Sequence, residues 1–123
     1  MMVEVMRRPE SAVASILVVD DDEDLRAMVK LVLERRGFLV HEANCIAAAL
    51  SAPQVDLLIT DLHLPDGTGE ELINRLRALH PQAAIALSGS RVSQPTPFDA
   101  HLLKPTAPHD LLASVDRVLA SGA

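Results

Sequence analysis

The stretch ILVVDDDEDLR, residues 16–26, decides the fold of this chain. Four consecutive apolar residues run directly into five acidic residues. A short apolar run rich in β-branched residues is typical of a strand that is buried on both faces. Such strands belong to sheets whose two sides are covered by helices, so the segment predicts an α/β protein. Several negative charges at the end of a buried strand repel one another, which is unfavourable unless a cation or a helix N-terminus offsets the repulsion.

Strand and helix patterns alternate along the rest of the chain. Apolar runs typical of buried strands occupy residues 15–20, 38–43, 55–60, 83–87 and 100–103. Apolar residues at helical spacing, with start and stop signals at their ends, occupy residues 24–37, 44–53, 66–81 and 108–120. This alternation predicts a five-stranded parallel sheet covered on both faces, which is a doubly wound α/β fold.

Helix starts are indicated by polar residues that can cap the first turn. Asn44 is the predicted N-cap of the short second helix. Thr68 and Glu71 have the spacing of a capping box, which predicts the start of the third helix. The later acids of the first segment, residues 22–24, lead into the first helix, whose N-terminus favours negative charge.

Composition limits the kinds of partner and compartment. The chain has 123 residues, which fits one domain, and we place this domain at residues 15–123 after a flexible leader at 1–14. A formal net charge of -6 argues against nucleic acid as a direct partner, because phosphate backbones bind basic surfaces. No apolar run reaches the roughly 20 residues of a membrane-spanning helix. The single cysteine fits a reducing compartment, so we expect a cytoplasmic protein without a membrane partner.

Polar residues follow four of the five predicted strands. Asp20 is the last residue of the first predicted strand and Asp21 comes next, whereas Asp61, Ser88 and Lys104 directly follow the third, fourth and fifth strands. In a doubly wound sheet the ligand site lies beyond the carboxyl ends of the strands, so these side chains converge on one edge. Carboxylates from two strands suit Mg²⁺, which takes few protein ligands together with waters and phosphate oxygens. A hydroxyl and a lysine would bind phosphoryl oxygens, and an aspartate is a plausible phosphoryl acceptor.

Four motifs in this order resemble those of receiver domains, the phosphoacceptor domains of response regulators in two-component signalling. They are an acidic pair in VVDD, a phosphorylated aspartate in LLITDLHLPDGTG, a serine in IALSG and a lysine–proline pair in LLKP. The resemblance covers about residues 15–120. It implies a flavodoxin-like, chemotaxis-regulator-like fold with strand order 2-1-3-4-5.

The resemblance also implies a role for each motif residue. Asp61 would accept a phosphoryl group from a histidine kinase, a phosphotransfer protein or a small phosphodonor. Mg²⁺ would be held by three carboxylates and one backbone carbonyl, those of Asp20, Asp21, Asp61 and His63. Ser88 and Lys104 would bind the phosphoryl group. His101 would act with Ser88 as a switch residue that reports phosphorylation at the surface.

Two features depart from the pattern of this family. His101 lies three positions before the lysine, where many receivers carry tyrosine or phenylalanine. Residues 89–99 connect the fourth and fifth strands, which is several residues fewer than typical receivers use. Pro95 and Pro97 disfavour a long helix in this connection. We therefore expect the fourth crossover helix to be shortened or replaced by a proline-rich loop.

The leading hypothesis is a stand-alone receiver domain that switches a surface for an unknown downstream protein. Such a domain is not a turnover enzyme, because it catalyses only its own phosphotransfer and dephosphorylation. An alternative is a receiver-like module that binds a partner without phosphorylation, which the unusual fourth crossover keeps open. A phosphatase of the haloacid dehalogenase type would need a second aspartate two residues after Asp61, where this chain has His63.

Overall fold

The computed structural model describes residues 13–90 and 96–121, so the predicted leader at 1–14 lies largely outside the described residues. The strands in chain order are β1 (Ser15–Val19), β2 (Leu39–Ala43), β3 (Leu57–Asp61), β4 (His63–Leu64), β5 (Gly67–Thr68), β6 (Ala83–Ser88) and β7 (Ala100–Leu103). Five of them form a parallel sheet in the order β2-β1-β3-β6-β7. The other two, β4 and β5, pair as an antiparallel hairpin that the sequence did not indicate.

The helices lie between or after these strands. They are α1 (Glu23–Arg35), α2 (Ile46–Leu50), α3 (Gly69–Arg77) and α4 (Pro108–Ser121). None of these helices is long and apolar enough to cross a membrane, as judged over the part of the chain that the structure describes. When the small hairpin is set aside, the sheet has the predicted order 2-1-3-4-5. The prediction of a doubly wound α/β fold is therefore confirmed.

Each face of the sheet has its own layer of apolar side chains. Along β1 successive side chains point to opposite faces, as in any strand. Ile16 and Val18 pack with apolar residues of α1 and α4, whereas Leu17 and Val19 pack with apolar residues of α2 and α3. All four side chains are almost completely buried. This two-sided burial is the reason that the strand is apolar throughout.

Strand register brings the polar strand ends to one edge. Val19 of β1 pairs with Thr60 of β3, so the residues that follow them, Asp20 and Asp61, lie side by side. Ser88 at the end of β6 pairs with Leu103 of β7, and Lys104 comes next. Because all five strands are parallel, these polar residues share one end of the sheet.

The connection between β6 and β7 carries no helix at residues 89, 90 and 96–99. Residues 91–95 lie outside the described residues, so the expectation of a shortened or replaced crossover helix stays a prediction there. The end of this connection is held by α3, since Arg77 donates hydrogen bonds to the backbone carbonyls of Gln82 and Pro97. Phe98 is buried and contributes to the apolar layer that also contains α2 and α3.

The start of α2 differs from the prediction. The N-cap is Cys45 rather than Asn44, and its Sγ accepts the Ala48 N–H at 3.4 Å. The backbone N–H groups of Ile46 and Ala47 donate instead to the carboxylate of Asp66, at 2.8 and 3.0 Å. Asp66 lies in the loop between β4 and β5, so a residue distant in sequence satisfies N–H groups that a local cap leaves unpaired.

We expect Asp66→Asn to destabilise the protein near neutral pH and to have less effect in acid. Hydrogen bonds from the Ile46 and Ala47 N–H groups lower the pKa of Asp66, because they favour the carboxylate. A depressed pKa adds stability above the unfolded value of about 4, and this contribution is lost as the pH falls through the folded value. Urea midpoints of wild type and variant should differ at about pH 6 and should differ less at about pH 3. The same difference at both pH values would contradict this account.

Candidate functional site

Asp20 is the first acid after β1, and its side chain is only 2% exposed. Its backbone N–H donates to the Ala43 carbonyl at 3.1 Å, so the residue continues the pairing of β1 with β2. Its Oδ1 accepts the Asp22 N–H at 2.8 Å. Its backbone carbonyl accepts a hydrogen bond of 2.6 Å from the guanidinium of Arg26. The backbone N–H, the backbone carbonyl and one carboxylate oxygen of Asp20 therefore all form hydrogen bonds.

Asp61 is the last residue of β3 and is 9% exposed. Its Oδ1 accepts the backbone N–H of His63 at 3.3 Å, and its Oδ2 accepts from Lys104 Nζ at 3.1 Å. The Thr60 hydroxyl donates to the Asp61 backbone carbonyl at 2.9 Å. Gly69 packs directly on this carbonyl, since a Cβ at Gly69 would lie 2.5 Å from the carbonyl oxygen. The carboxylate thus sits at the edge of the sheet on a tightly held backbone.

Lys104 joins the two acids. Its Nζ lies 2.8 Å from Asp20 Oδ2 and 3.1 Å from Asp61 Oδ2. Its backbone N–H donates to the Ser88 carbonyl at 2.8 Å, and its peptide bond to Pro105 is cis. Burial on its own would lower the pKa of the Lys104 ammonium, but the ion pairs with Asp20 and Asp61 outweigh it and raise the pKa. The lysine is therefore charged at neutral pH.

The carboxylates at this edge fit a divalent cation. Oxygens of Asp20, Asp21 and Asp61 lie within 4.8 Å of one another. Asp20 Oδ2 is buried and has no assigned hydrogen bond among the described residues, although it forms an ion pair with Lys104 Nζ at 2.8 Å. A buried carboxylate oxygen with a free lone pair is a suitable ligand for a hard cation such as Mg²⁺. Asp21 is exposed, which leaves room for waters and a phosphoryl oxygen on that side.

The remaining predicted site residues, Ser88, His63 and His101, have hydrogen bonds of their own. The buried Ser88 hydroxyl donates to the Ser90 carbonyl at 2.7 Å. His63 contributes its backbone N–H to Asp61, and its side chain is exposed. The exposed His101 ring has its Nε2 2.8 Å from Thr96 Oγ1 and stacks edge-on against Phe98. Asp20, Asp21, Asp61 and Lys104 are therefore the residues that the fold brings together.

Sequence reasoning missed Arg26 and Gly69. Arg26 stands in the first turn of α1, where a cation opposes the helix macrodipole, and this unfavourable placement could have singled it out. Gly69 is the first residue of α3 and has ordinary dihedral angles. Nothing in the sequence shows that a side chain there would collide with the backbone of Asp61, because the two residues are eight positions apart.

Residues 16–116 match the family described as the response regulator receiver domain. The chain belongs to this family. Receiver domains are signalling domains and are not generally classed as enzymes. Because the match spans both the first strand and most of the last helix, it includes each of the residues that the fold brings together at the acidic edge of the sheet.

Three similar proteins illustrate the range of this family. The phosphate regulon transcriptional regulatory protein PhoB of Escherichia coli is 32% identical over 116 residues, which cover 85% of this chain and 51% of PhoB. An uncharacterised 14.6 kDa protein of Leptolyngbya boryana is 34% identical over 114 residues, 83% of this chain and 87% of that protein. Among solved structures, a CheY-like response regulator receiver domain protein from Methanospirillum hungatei has 28% sequence identity to this chain. Its fold superposes with a TM-score of 0.83, and the match covers 89% of this chain and 96% of that protein. This receiver domain therefore spans about half the length of PhoB.

We expect Lys104→Met to destabilise the protein in EDTA and Mg²⁺ to restore part of the loss. Without the ammonium, the nearly buried carboxylates of Asp20 and Asp61 repel each other, whereas a divalent cation offsets the repulsion. The cost in EDTA should be about 2 to 3 kcal/mol, below that of a fully buried pair, because Lys104 is 23% exposed. Urea unfolding with and without Mg²⁺ measures the difference. The control variant Arg36→Met loses an ion pair with Asp116 and should respond to Mg²⁺ as the wild type does.

We expect Gly69→Ala to destabilise the protein by about 1 to 3 kcal/mol, because its Cβ would collide with the Asp61 carbonyl and one of the two backbones must move. Gly89→Ala is the matched control. A Cβ at Gly89 meets nothing within 4 Å, so its effect should stay within about 0.5 kcal/mol. Chemical denaturation measures both values, and equal stabilities of the two variants would contradict the tight packing of Gly69.

Proposed function

We propose that this receiver domain is a phosphorylation-controlled switch whose phosphoacceptor is Asp61. The proposal is based on one observation: three carboxylates and one ammonium lie together at the end of the sheet, and Lys104 donates a hydrogen bond to Asp61. A carboxylate oxygen of Asp61 attacks the phosphorus of the donor, and the bond between phosphorus and the donor's leaving group breaks. The product is an acyl phosphate on Asp61. With a histidine kinase or phosphotransfer protein as donor, the leaving imidazole takes up a proton.

Lys104 and the backbone orient this reaction. The His63 N–H and the Lys104 ammonium each hold one oxygen of the Asp61 carboxylate, which fixes the direction of attack. When Asp61 becomes an acyl phosphate, its negative charge moves to the phosphoryl oxygens, and the Lys104 ammonium would pair with one of them. Asp20, Asp21 and Asp61, with the backbone carbonyl of His63, would hold Mg²⁺. When bound, the ion neutralises charge on the phosphoryl oxygens.

Ser88 and His101 form the proposed output of the switch. The Ser88 hydroxyl donates to a neutral carbonyl, that of Ser90. An acyl phosphate at Asp61 offers an anionic acceptor, and a hydrogen bond to an ionised group is about twice as strong as a neutral one. Rotation of Ser88 toward the phosphoryl group would free the Ser90 carbonyl, and we expect the change to extend along the chain to Thr96, the partner of His101. The altered surface would then be recognised by a downstream protein, and activity without an attached output domain stays a prediction.

Acetyl phosphate and intact-mass spectrometry test the proposal. The wild type should gain the mass of one phosphoryl group in the presence of Mg²⁺, and EDTA should abolish the gain. Asp61→Asn should gain nothing, because the amide keeps the shape of the side chain and removes the nucleophilic oxygen. Asp24→Asn is the control, since Asp24 is an exposed acid of the first turn of α1 outside the carboxylate cluster, and it should be phosphorylated normally.

Two results would count against the proposal. Modification of Asp61→Asn at the wild-type level would place the phosphoryl group elsewhere. If the wild type gains no mass from acetyl phosphate, carbamoyl phosphate or a cognate kinase, the domain signals without phosphorylation, as the alternative hypothesis holds.

A further inference from the structure

Arg26 makes two directed contacts next to the acidic cluster. Its guanidinium donates from one terminal nitrogen to the backbone carbonyl of Asp20 at 2.6 Å, and from Nε to Glu42 Oε1 at 3.0 Å. The side chain is 14% exposed, so it lies mostly inside the surface formed by α1 and β2. Since a guanidinium has several donors in a fixed plane, one group can serve both acceptors at once.

The Asp20 carbonyl belongs to the peptide that joins the two acids of the predicted metal site. Arg26 holds that peptide from the carbonyl side, while the Asp20 N–H is held by Ala43 and Oδ1 by Asp22. These contacts leave Asp20 Oδ2 as the oxygen without a well-formed hydrogen bond. The direction in which Asp21 presents its carboxylate depends on the same peptide plane. Arg26 therefore contacts the backbone between the two acids and not their carboxylates.

We propose that Arg26 is a positioning residue that sets the affinity of the acidic cluster for divalent cations. The inference rests on the Mg²⁺ site of the proposed function. Removal of a group that hydrogen-bonds to a metal ligand and orients it commonly weakens metal binding by about 10- to 100-fold. Here the oriented element is the backbone between Asp20 and Asp21, and the orienting group is the guanidinium.

Glu42 completes the arrangement from β2. Its carboxylate accepts from Arg26 through Oε1 and lies 3.4 Å from Lys30 Nζ through Oε2. The carboxylate neutralises Arg26 and fixes the plane of its guanidinium. Glu42→Gln should therefore weaken the cation site less than loss of Arg26 itself, because the hydrogen bond to Asp20 survives with a less constrained donor.

Charge and positioning predict opposite effects of removing Arg26. A cation beside the cluster repels Mg²⁺, so loss of the charge alone would tighten binding. Loss of the hydrogen bond to the Asp20 carbonyl would loosen the two acids and weaken binding. Arg26→Lys separates the two effects, since lysine keeps the charge but lacks the planar fork that reaches Glu42 and Asp20 together.

The test is a Mg²⁺ titration followed by amide chemical shifts of ¹⁵N-labelled protein, because the chain has no Trp or Tyr for fluorescence. Arg26→Ala, Arg26→Gln and Arg26→Lys should each bind Mg²⁺ about tenfold or more weakly than the wild type. The same spectra show whether each variant is folded. Arg36→Ala is the control, because it also removes an arginine ion pair of this chain, that with Asp116, and should keep wild-type affinity.

Each outcome bears on one proposal. Wild-type affinity in Arg26→Lys with tighter binding in Arg26→Ala and Arg26→Gln would show that only charge matters and would overturn the inference. Wild-type affinity in all three variants would overturn it as well. Failure of the wild type to bind Mg²⁺ would instead overturn the metal site of the proposed function. If Arg26→Ala does not fold, Arg26→Lys provides the test. Weaker Mg²⁺ binding by folded Arg26→Lys would support the inference, and wild-type binding would overturn it.

Discussion

The ammonium of Lys104 lies between two carboxylates, those of Asp20 and Asp61, and the rest of the site depends on this contact. Both acids are nearly buried at the end of the sheet. Two like charges about 4 Å apart repel by about 4 kcal/mol at an effective dielectric of 20. The lysine, 2.8 and 3.1 Å from the two carboxylates, reverses the sign of this interaction. This end of the sheet can hold both acids because a lysine, Lys104, directly follows β7.

Parallel pairing makes this meeting possible. Asp20 directly follows β1, Asp61 is the last residue of the neighbouring strand β3, and Lys104 follows the edge strand β7 at the same end. The loop after Asp61 is held from two sides, since Gly69 packs on the Asp61 carbonyl and Asp66 binds the start of α2. The carboxylate that we propose as the phosphoacceptor therefore rests on a backbone that is already held, which would reduce the reorganisation needed for transfer.

The parts that could be predicted from the sequence are those with a local signal. Continuous apolar strands and helical spacing predicted the doubly wound sheet, and the capping box of Thr68 and Glu71 is present in the structure. The polar residues at strand ends indicated the acidic edge. What could not be predicted depends on contacts between distant residues. At the start of α2, Cys45 rather than Asn44 is the N-cap, and the distant Asp66 accepts the next N–H groups. Arg26 likewise reaches the Asp20 carbonyl, because the tertiary fold places this acceptor beside it.

The acid run after β1 draws on two sources of positive potential. Asp22 caps α1 and is stabilised by the helix N-terminus, whereas Asp20 turns inward and is neutralised by Lys104. Conversion of the Asp61 carboxylate into an acyl phosphate would replace one negative charge with about −1.5 to −2, so the cluster would become more negative while Lys104 still supplies one positive charge. The helix N-terminus already binds its own cap, Asp22, so we expect the additional positive charge to come from the divalent cation of the proposed function. In the charge balance of the proposed phosphorylated form, Lys104 and this cation would act together, and neither would replace the other.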